Sequence, residues 1–297
     1  MKLKKTVFVM ILTALLISVT ALSVYADMGP KPSVRVKFSG IGDRVCYATL
    51  LSERDSTGPS SVWDGDPEHA NHKGIYEWYA LPEEIWEAFV YYSDPDGYYF
   101  LQEGWLVSDS EPLEWTYYPP SSFKVLLYFP EDASFISSGI YERYAFDSYF
   151  SMNIGDGTLG MGEVKIEKSY DYTVEAAALL ARIVGTVLLE LEVAFIFGLW
   201  HKRQLAVILC TNAVTQIILN VALSATAHFY GHLAFLLNYV GWEIVVVIVE
   251  AFAYCILLNR ISGVNRRKIW LVLYAALANI LSLLAGLWLE TYVPAMF

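Results

Sequence analysis

The stretch YVGWEIVVVIVEAFAYCILL, Tyr239–Leu258, has the composition of a membrane span and also carries two glutamates. About 20 apolar residues in a helix cross the roughly 30 Å of hydrocarbon in a bilayer. Glu243 and Glu250 are seven residues apart, which is nearly two helical turns, so they share one helix face. A charged residue at the membrane centre costs at least about 2.5–3.5 kcal/mol on insertion scales. The two glutamates therefore need polar partners or protons.

The rest of the chain also has the composition of a membrane protein. Of its 297 residues, 56% are hydrophobic and the mean hydropathy is +0.40, which is too apolar for an ordinary soluble protein. We assign residues 173–297 to a transmembrane domain of four helices with short connections. The predicted spans lie near residues 179–199, 205–225, 236–258 and 269–289.

Each predicted span contributes polar side chains at a similar depth. With a rise of about 1.5 Å per residue and alternating span directions, most of them fall within about 5 Å of the midplane or in a shallower layer towards the outside. The predicted buried polar layer consists of Glu190, Glu192, Asn212, Gln216, Asn220, Glu243, Glu250, Asn279 and Ser282. Two interpretations stay open: a proton, ion or polar-substrate site, or a structural clamp of hydrogen-bonded glutamic acids and amides.

The N-terminal half has a different character. Residues 1–26 resemble a secretion signal, because lysines precede an apolar run and Val24-Tyr25-Ala26 resembles a small-residue cleavage site; an uncleaved signal anchor is the alternative. We assign residues 27–172 to an extracellular β-rich domain, sandwich-like or a small barrel. Candidate strands cover residues 33–38, 46–51, 86–92, 98–107, 123–129 and 141–150, separated by turn residues. Residues 81–86 also fit a short helix, since Pro82 suits a first turn.

The charges predict the orientation of the spans. Residues 27–173 hold 25 acidic and 10 basic residues, whereas the connections after the first and third spans are basic. The basic residues of these connections are Lys202, Arg203, Arg260, Arg266, Arg267 and Lys268. The connection 226–235 and the tail after residue 289 contain no lysine or arginine. Because cytoplasmic loops carry the positive charge, we expect a multi-pass cell-membrane protein with the β-rich domain and the C-terminus outside.

Other motifs carry weaker signals. Asp64, Asp66, His69 and His72 could hold a divalent metal, but they lack an EF-hand pattern, so we predict no metal site. No nucleophile elbow, phosphate-binding loop or zinc motif occurs, so we predict no catalytic residue and no cofactor. The net charge of −11 argues against nucleic acid. Aromatic side chains that could stack on a glycan or peptide are Trp63, Trp78, Trp105, Trp115, Tyr79, Tyr117 and Tyr118, although strand aromatics are commonly core residues.

The chain resembles a group of multi-pass membrane proteins of Gram-positive bacteria. The resemblance covers most of the chain and is carried by ARIVGTVLLELEVAFIFG, TNAVTQIILN, EIVVVIVEAFAY and ANILSLLAGLWL, with a secreted domain beginning near DMGPKPSV. It implies a secreted N-terminal domain followed by four membrane helices, and it implies no activity. It also places Glu190, Asn212, Glu243, Glu250 and Asn279 in the typical pattern of the group.

Three functions fit this sequence. The first is a cell-surface protein whose acidic domain senses or binds an extracellular peptide or glycan, with the bundle as anchor and relay. The second is a small transporter, or a transport accessory, that uses the buried carboxyl and amide groups. The third is an intramembrane enzyme, although nothing in the sequence marks one. The lipid bilayer is the expected partner, and a second copy or another membrane protein is a further candidate.

Overall fold

A computed structural model describes residues 30–71, 81–155, 164–262 and 266–292. The chain forms two compact units, which divide between residues 170 and 171. The predicted signal, residues 1–26, lies outside the described residues, as do His72, Trp78 and Tyr79.

The first unit is β-rich, as predicted. Its strands are β1 Ser33–Ser39, β2 Cys46–Ser52, β3 Ser56–Thr57, β4 Ser60–Ser61, β5 Tyr99–Phe100, β6 Trp105–Val107, β7 Leu113–Trp115, β8 Ser122–Phe129, β9 Ser134–Ser137, β10 Tyr141–Glu142, β11 Asp147–Asn153 and β12 Ile166–Lys168. One sheet has the order β12-β11-β1-β7, with β1 and β11 parallel. The other has the order β10-β8-β2-β5, with β6 also pairing with β2 and β9 with β8. A small hairpin joins β3 to β4.

One hydrophobic core joins the two larger sheets. Alternate residues of β1, including Val34 and Val36, are fully buried in the same cluster as Leu50 of β2 and Val125 of β8. Strands buried on one face show this period of two. The opposite face of β2 and β8 belongs to a second cluster, through Leu51 and Leu126.

A short helix, α1 Glu83–Tyr91, supplies the remainder of that second cluster. Its buried residues Ile85, Trp86 and Phe89 recur at helical spacing. The strand predicted at 86–92 was therefore wrong over most of its length, and the alternative of a short helix beginning near Pro82 is the better description. Aromatic content favoured a strand there, but the spacing of the buried residues is that of a helix.

The second unit consists of helices in its described part: α2 Tyr172–Ile196, α3 Lys202–Tyr230, α4 His232–Ser262 and α5 Lys268–Tyr292. Within the described residues, three stretches are long and apolar enough to cross a membrane: Lys202–Tyr230, His232–Arg260 and Lys268–Gly286. Large apolar side chains on all four helices are exposed, for example Leu188, Ile218, Ile244 and Leu284. Such a surface is compatible with insertion into lipid.

Two connections between these helices differ from the predicted loops. The loop expected at 226–235 is reduced to Gly231, whose positive φ of 82° ends α3 and lets α4 begin at the next residue. The link between α2 and α3 carries Gly198, also at positive φ. Its carbonyl accepts a hydrogen bond from the Arg266 guanidinium at 3.0 Å, and Arg266 is itself paired through its backbone with the Asn259 side chain.

The β-rich unit contains a buried carboxyl group at Glu103. Glu103 is 4% exposed, and its carbonyl accepts the Thr49 hydroxyl at 2.6 Å. Burial raises the pKa of Glu103 to about 7, although Ser60 opposes this shift. The preceding residue, Gln102, has a φ of 63°, which is unusual for a residue other than glycine. The Gln102 side chain hydrogen-bonds to the backbone of Ser61 and Asn71 and holds this conformation.

We expect Glu103→Gln to remove a pH dependence of stability from the β-rich unit. The raised pKa means that the folded state keeps its proton after the unfolded chain has ionised. The contribution of Glu103 to the free energy of unfolding is therefore fully present below the pKa of an ordinary glutamate. As the pH rises to about 7, this contribution is lost, by about 3 kcal/mol. Urea-dependent pulse proteolysis of the full chain between pH 4.5 and 8 measures the difference. Glu131→Gln, at an exposed carboxyl, is the control, and an unchanged slope in the Glu103 variant would contradict the assignment.

Candidate functional site

The interior of the helical unit contains a layer of polar residues beside two apolar clusters. Of the nine residues predicted to form a buried polar layer, eight are at most 5% exposed: Glu190, Asn212, Gln216, Asn220, Glu243, Glu250, Asn279 and Ser282. They come from all four helices, α2 to α5. These polar groups are buried while large apolar side chains are exposed, which is not the pattern of a soluble helix bundle.

Glu250 is the best-connected member of this layer. Its side chain on α4 is fully buried and accepts hydrogen bonds from two other helices. The Thr215 hydroxyl on α3 donates to Oε1 at 2.6 Å, and the Asn279 amide on α5 donates to Oε2 at 2.7 Å. One carboxyl group therefore ties three helices together.

The surroundings of Glu250 suit both of its protonation states. The Thr215 hydroxyl also lies 3.1 Å from the Thr211 carbonyl and 3.2 Å from the Asn212 carbonyl on its own helix. When Glu250 is ionised, Thr215 donates to it. When Glu250 is protonated, its own O–H can donate to Thr215, whose hydrogen then turns to a backbone carbonyl. The hydrogen-bond network can thus gain or lose a proton without leaving a group unpaired.

Glu190 on α2 is in the opposite situation. It is fully buried, and neither of its carboxyl oxygens has a hydrogen-bond partner in the described part of the chain. The Asn212 amide interacts with the Glu190 carboxyl group, but the contact falls short of full hydrogen-bond geometry, so Asn212 Nδ2 also has no hydrogen-bond partner among the described residues. Glu190 is close enough to Glu250 and Glu243 for their charges to interact. A buried carboxyl without partners is costly in a native structure and is expected at functional positions.

Two tyrosines belong to this region and were not predicted from the sequence. The Tyr254 hydroxyl donates to Asn212 Oδ1 at 2.9 Å, and the Tyr274 hydroxyl donates to the Glu190 carbonyl at 3.3 Å. Both side chains are fully buried, with ring centroids 5.4 Å apart. Their spacing from Glu250 and Asn279, four or five residues along the same helices, places them one turn away. That spacing was the available signal, but tyrosine is common in apolar helices, so composition alone did not identify these two residues.

A second polar group lies along α3 and α4. The Asn220 amide donates to the Gln216 backbone carbonyl at 2.8 Å and to Gln216 Oε1 at 3.3 Å. These two residues, four apart on α3, are therefore hydrogen-bonded to each other. On α4, Tyr239 interacts with the Glu243 carboxyl group, while Glu243 Oε2 has no partner among the described residues.

Glu192 lies outside the buried layer. It is exposed on α2, next to apolar residues that include Val193, Leu281 and Trp288. Two residues along a helix correspond to a rotation of about 200°, so Glu190 and Glu192 face opposite directions. Depth alone, which placed both residues near the midplane, does not distinguish them.

A cavity of about 370 Å³ adjoins the polar layer within the helical unit. Residues of all four helices line it: Ala181, Arg182, Gly185, Thr186, Leu189, Gln216, Leu219, Asn220, Tyr239, Ser282, Ala285 and Gly286. Its volume falls in the lower part of the range of small-molecule sites.

The candidate metal ligands of the β-rich unit form only a local contact. His69 Nδ1 lies 2.7 Å from Asp64 Oδ2 on the surface. The hydrogen bond to Asp64 raises the pKa of His69. The pKa of Asp64 is lowered, mainly by the hydrogen bond from the Asp66 backbone N–H and then by the one from His69. Asp66 caps the short turn Pro67–His69. Within the described residues of the chain, no cluster of three metal-binding side chains occurs.

The aromatic candidates of the β-rich unit are largely packing residues. Trp105 and Trp115 pack against each other at the core with tilted rings 5.3 Å apart, and Trp63 packs edge-on against Trp86 at 5.2 Å. Tyr118 is exposed. Packing of this kind is the usual role of aromatic residues in strands.

Comparisons with known protein families, with curated proteins and with solved structures found no match. The resemblance to multi-pass proteins of Gram-positive bacteria therefore stays a prediction, and the function has to be argued from the site itself.

We expect Glu250→Gln to be tolerated and Glu250→Leu to destabilise the helical unit. A glutamine can accept from Asn279 through its oxygen and donate to Thr215 through its nitrogen, so each present bond has a counterpart. A leucine removes both bonds, at a cost of about 1–3 kcal/mol. Denaturant unfolding of the full chain in lipid nanodiscs measures both variants against Ile248→Leu at an exposed position. Equal stability of the glutamine and leucine variants would show that Glu250 does not link the helices.

Proposed function

We propose that the chain is a multi-pass membrane protein with four spans, formed by helices α2 to α5. The β-rich unit and the C-terminus lie outside the cell, and the links α2–α3 and α4–α5 lie in the cytoplasm. The apolar surface of the helices supports the membrane location. Basic residues at the two links support the orientation, because Lys202 and Arg203 in the first turn of α3 and Arg266 and Arg267 before α5 are all exposed.

Within this topology, the protein serves as a cell-surface sensing and binding protein whose helices form an anchor and a proton relay. The single observation that carries the relay is Glu190, a fully buried carboxyl group without a described partner beside the fully bonded Glu250. In a purely structural clamp, every buried carboxyl group would have a hydrogen-bond partner, because a buried carboxyl group without one destabilises the fold. Glu190 departs from that expectation and Glu250 does not.

The chemistry of a relay follows from the unequal surroundings of the two carboxyl groups. Two carboxylates in one water-poor site repel each other, so the site favours holding at least one proton. Thr215 lets Glu250 accept or release a proton with its hydrogen bonds intact. Glu190 gains a hydrogen bond only when Asn212 or another group approaches it. A movement of α2 against α3 would therefore change which glutamate holds the proton, and this couples helix position to charge.

Transport is the second candidate function. The cavity beside the layer favours it, because the cavity touches all four helices and ends near Gln216 and Asn220. Proton flux into liposomes containing the full chain discriminates the two functions. A transporter carries protons at a rate that Glu190→Gln abolishes, whereas a sensing protein with an internal relay gives no net flux.

The topology predicts a pattern of cysteine labelling from outside the cell. In a chain whose three native cysteines are replaced by alanine, we expect Glu53→Cys and Tyr230→Cys to react with a membrane-impermeant maleimide on intact cells. Lys202→Cys and Arg267→Cys should react only after permeabilisation. All four positions are exposed, so access to the reagent decides the result. Labelling of Lys202→Cys on intact cells would reverse the orientation.

The relay predicts that the proton on the glutamate pair exchanges with solvent. We expect the infrared band of the protonated carboxyl group to shift within minutes of transfer to D₂O, because a relay must connect the site to water. Glu190→Gln and Glu250→Gln assign the band, because each variant removes one of the two carboxyl groups. A band that does not exchange over hours would indicate a dry structural clamp and would exclude the relay.

A further inference from the structure

Glu192 presents a carboxyl group on the outer surface of α2. Its side chain is exposed and makes no hydrogen bond or ion pair with another described residue. Glu192 is two residues from the fully buried Glu190, a separation of about 3 Å along the helix axis, so it lies at the depth of the buried polar layer. In the proposed membrane location, Glu192 therefore faces hydrocarbon. Ionisable groups inside a membrane are costly and are almost always paired, so we expect its partner to come from outside this chain.

A ridge of apolar side chains lies on one side of Glu192. Val184, Leu188 and Phe195 are each about half exposed. Seven residues, nearly two helical turns, separate Leu188 from Phe195, so these two side chains share a face of α2. Around the helix axis, Glu192 is about 40° from Leu188 and about 60° from Phe195. The carboxyl group therefore lies at the edge of an apolar surface that nothing in the described part of the chain covers.

A groove between α2 and α5 lies on the other side of Glu192. Its volume is about 470 Å³, and Glu192 is one of the residues that line it. The other lining residues are apolar and include Leu189, Val193 and Ile196 of α2 and Leu281, Leu284 and Ala285 of α5. Helices pack by placing the side-chain ridge of one helix in the groove of another. The groove therefore has the shape to receive an apolar ridge from a neighbouring helix.

This face of α2 is complementary to itself. The ridge and the groove lie side by side, with Glu192 between them. A two-fold axis along the membrane normal, passing beside Glu192, places the ridge of each copy in the groove of the other. The same rotation keeps every residue at its own depth, so the two Glu192 side chains meet. Two carboxyl groups that hold a proton between them can hydrogen-bond, because the protonated group donates and the other accepts.

We propose that the α2 ridge and the α2–α5 groove form the interface of a homodimer, with the two Glu192 carboxyl groups hydrogen-bonded to each other at the two-fold axis. The carboxyl group selects a second copy of this chain as the occupant. An unrelated helix would need its own polar group at this depth, whereas a second copy supplies one by symmetry. The proposal rests on the membrane location within the proposed function and does not depend on the proton relay.

The test measures the association of the full chain in phosphatidylcholine liposomes by energy transfer between labelled copies. The label is placed at Glu53→Cys, an exposed position, in a chain whose native cysteines are replaced by alanine. Dilution with added lipid gives the dissociation constant of the dimer. We expect Glu192→Leu to raise this constant at least about tenfold, through loss of hydrogen bonds between helices in lipid. Glu192→Gln should associate as the unaltered chain does, because paired amides also donate and accept.

Phe195→Ala and Phe252→Ala are a matched pair of variants for the ridge. Both phenylalanines are exposed, but Phe252 is on α4, which lies diagonally opposite α2 because both helices pack mainly against α3 and α5. We expect Phe195→Ala to raise the dissociation constant and Phe252→Ala to leave it unchanged. Circular dichroism checks that all variants fold. An equal effect of the two alanine substitutions would place the interface elsewhere and overturn the proposal.

A photo-reactive amino acid in place of Leu188 identifies the occupant in native membranes. We expect a cross-linked product with twice the mass of the chain. A product formed only with another protein, the absence of energy transfer, or an unchanged dissociation constant for Glu192→Leu would each overturn the dimer. Extraction of the membranes with alkaline carbonate separates this failure from a failure of the proposed membrane location. Release of the chain would overturn both, whereas a monomer that stays in the membrane would overturn the dimer alone.

Discussion

The hydrogen bonds of Glu250 are the interaction on which the helical unit depends. In a bilayer, helices have no hydrophobic drive to associate, because the acyl chains are as apolar as leucine. Polar groups, in contrast, have nowhere else to bond. By accepting from Thr215 and Asn279, Glu250 fixes the rotation and depth of α3, α4 and α5 against each other. The positions of the other buried polar groups follow from that alignment.

Helix α2 is attached differently, and this sets the character of the site. Its buried carboxyl group, Glu190, makes no hydrogen bond to a described residue, and Tyr274 reaches only its backbone carbonyl. The polar interior thus joins a firmly bonded set of three helices to a fourth helix held mainly by packing. The same helix contributes the small residues and Arg182 to the cavity. The proposed relay therefore involves the surface between α2 and the other helices.

Sequence periodicity predicted much of this arrangement but not all of it. The seven-residue spacing of Glu243 and Glu250 placed them on one buried face, and the stripe from Asn212 to Asn220 is also buried. Depth could not separate Glu190 from Glu192, since that requires the rotation of the helix, which neighbouring helices decide. Threonine and tyrosine are common in apolar spans, so composition gave no reason to select Thr215 or to predict its hydrogen bond. In the β-rich unit, aromatic content misled at 86–92, where the spacing of buried residues is helical.

The single residue that joins α3 to α4 has a consequence for how the buried carboxyl group is shielded. Gly231 leaves no room for a loop, so α3 and α4 form one helical hairpin. Thr215 and Glu250 bond within that hairpin, without a contribution from α5. In the proposed membrane location, the two helices would therefore enter lipid with these polar groups turned towards each other, which lowers the cost of bringing a carboxyl group into the bilayer.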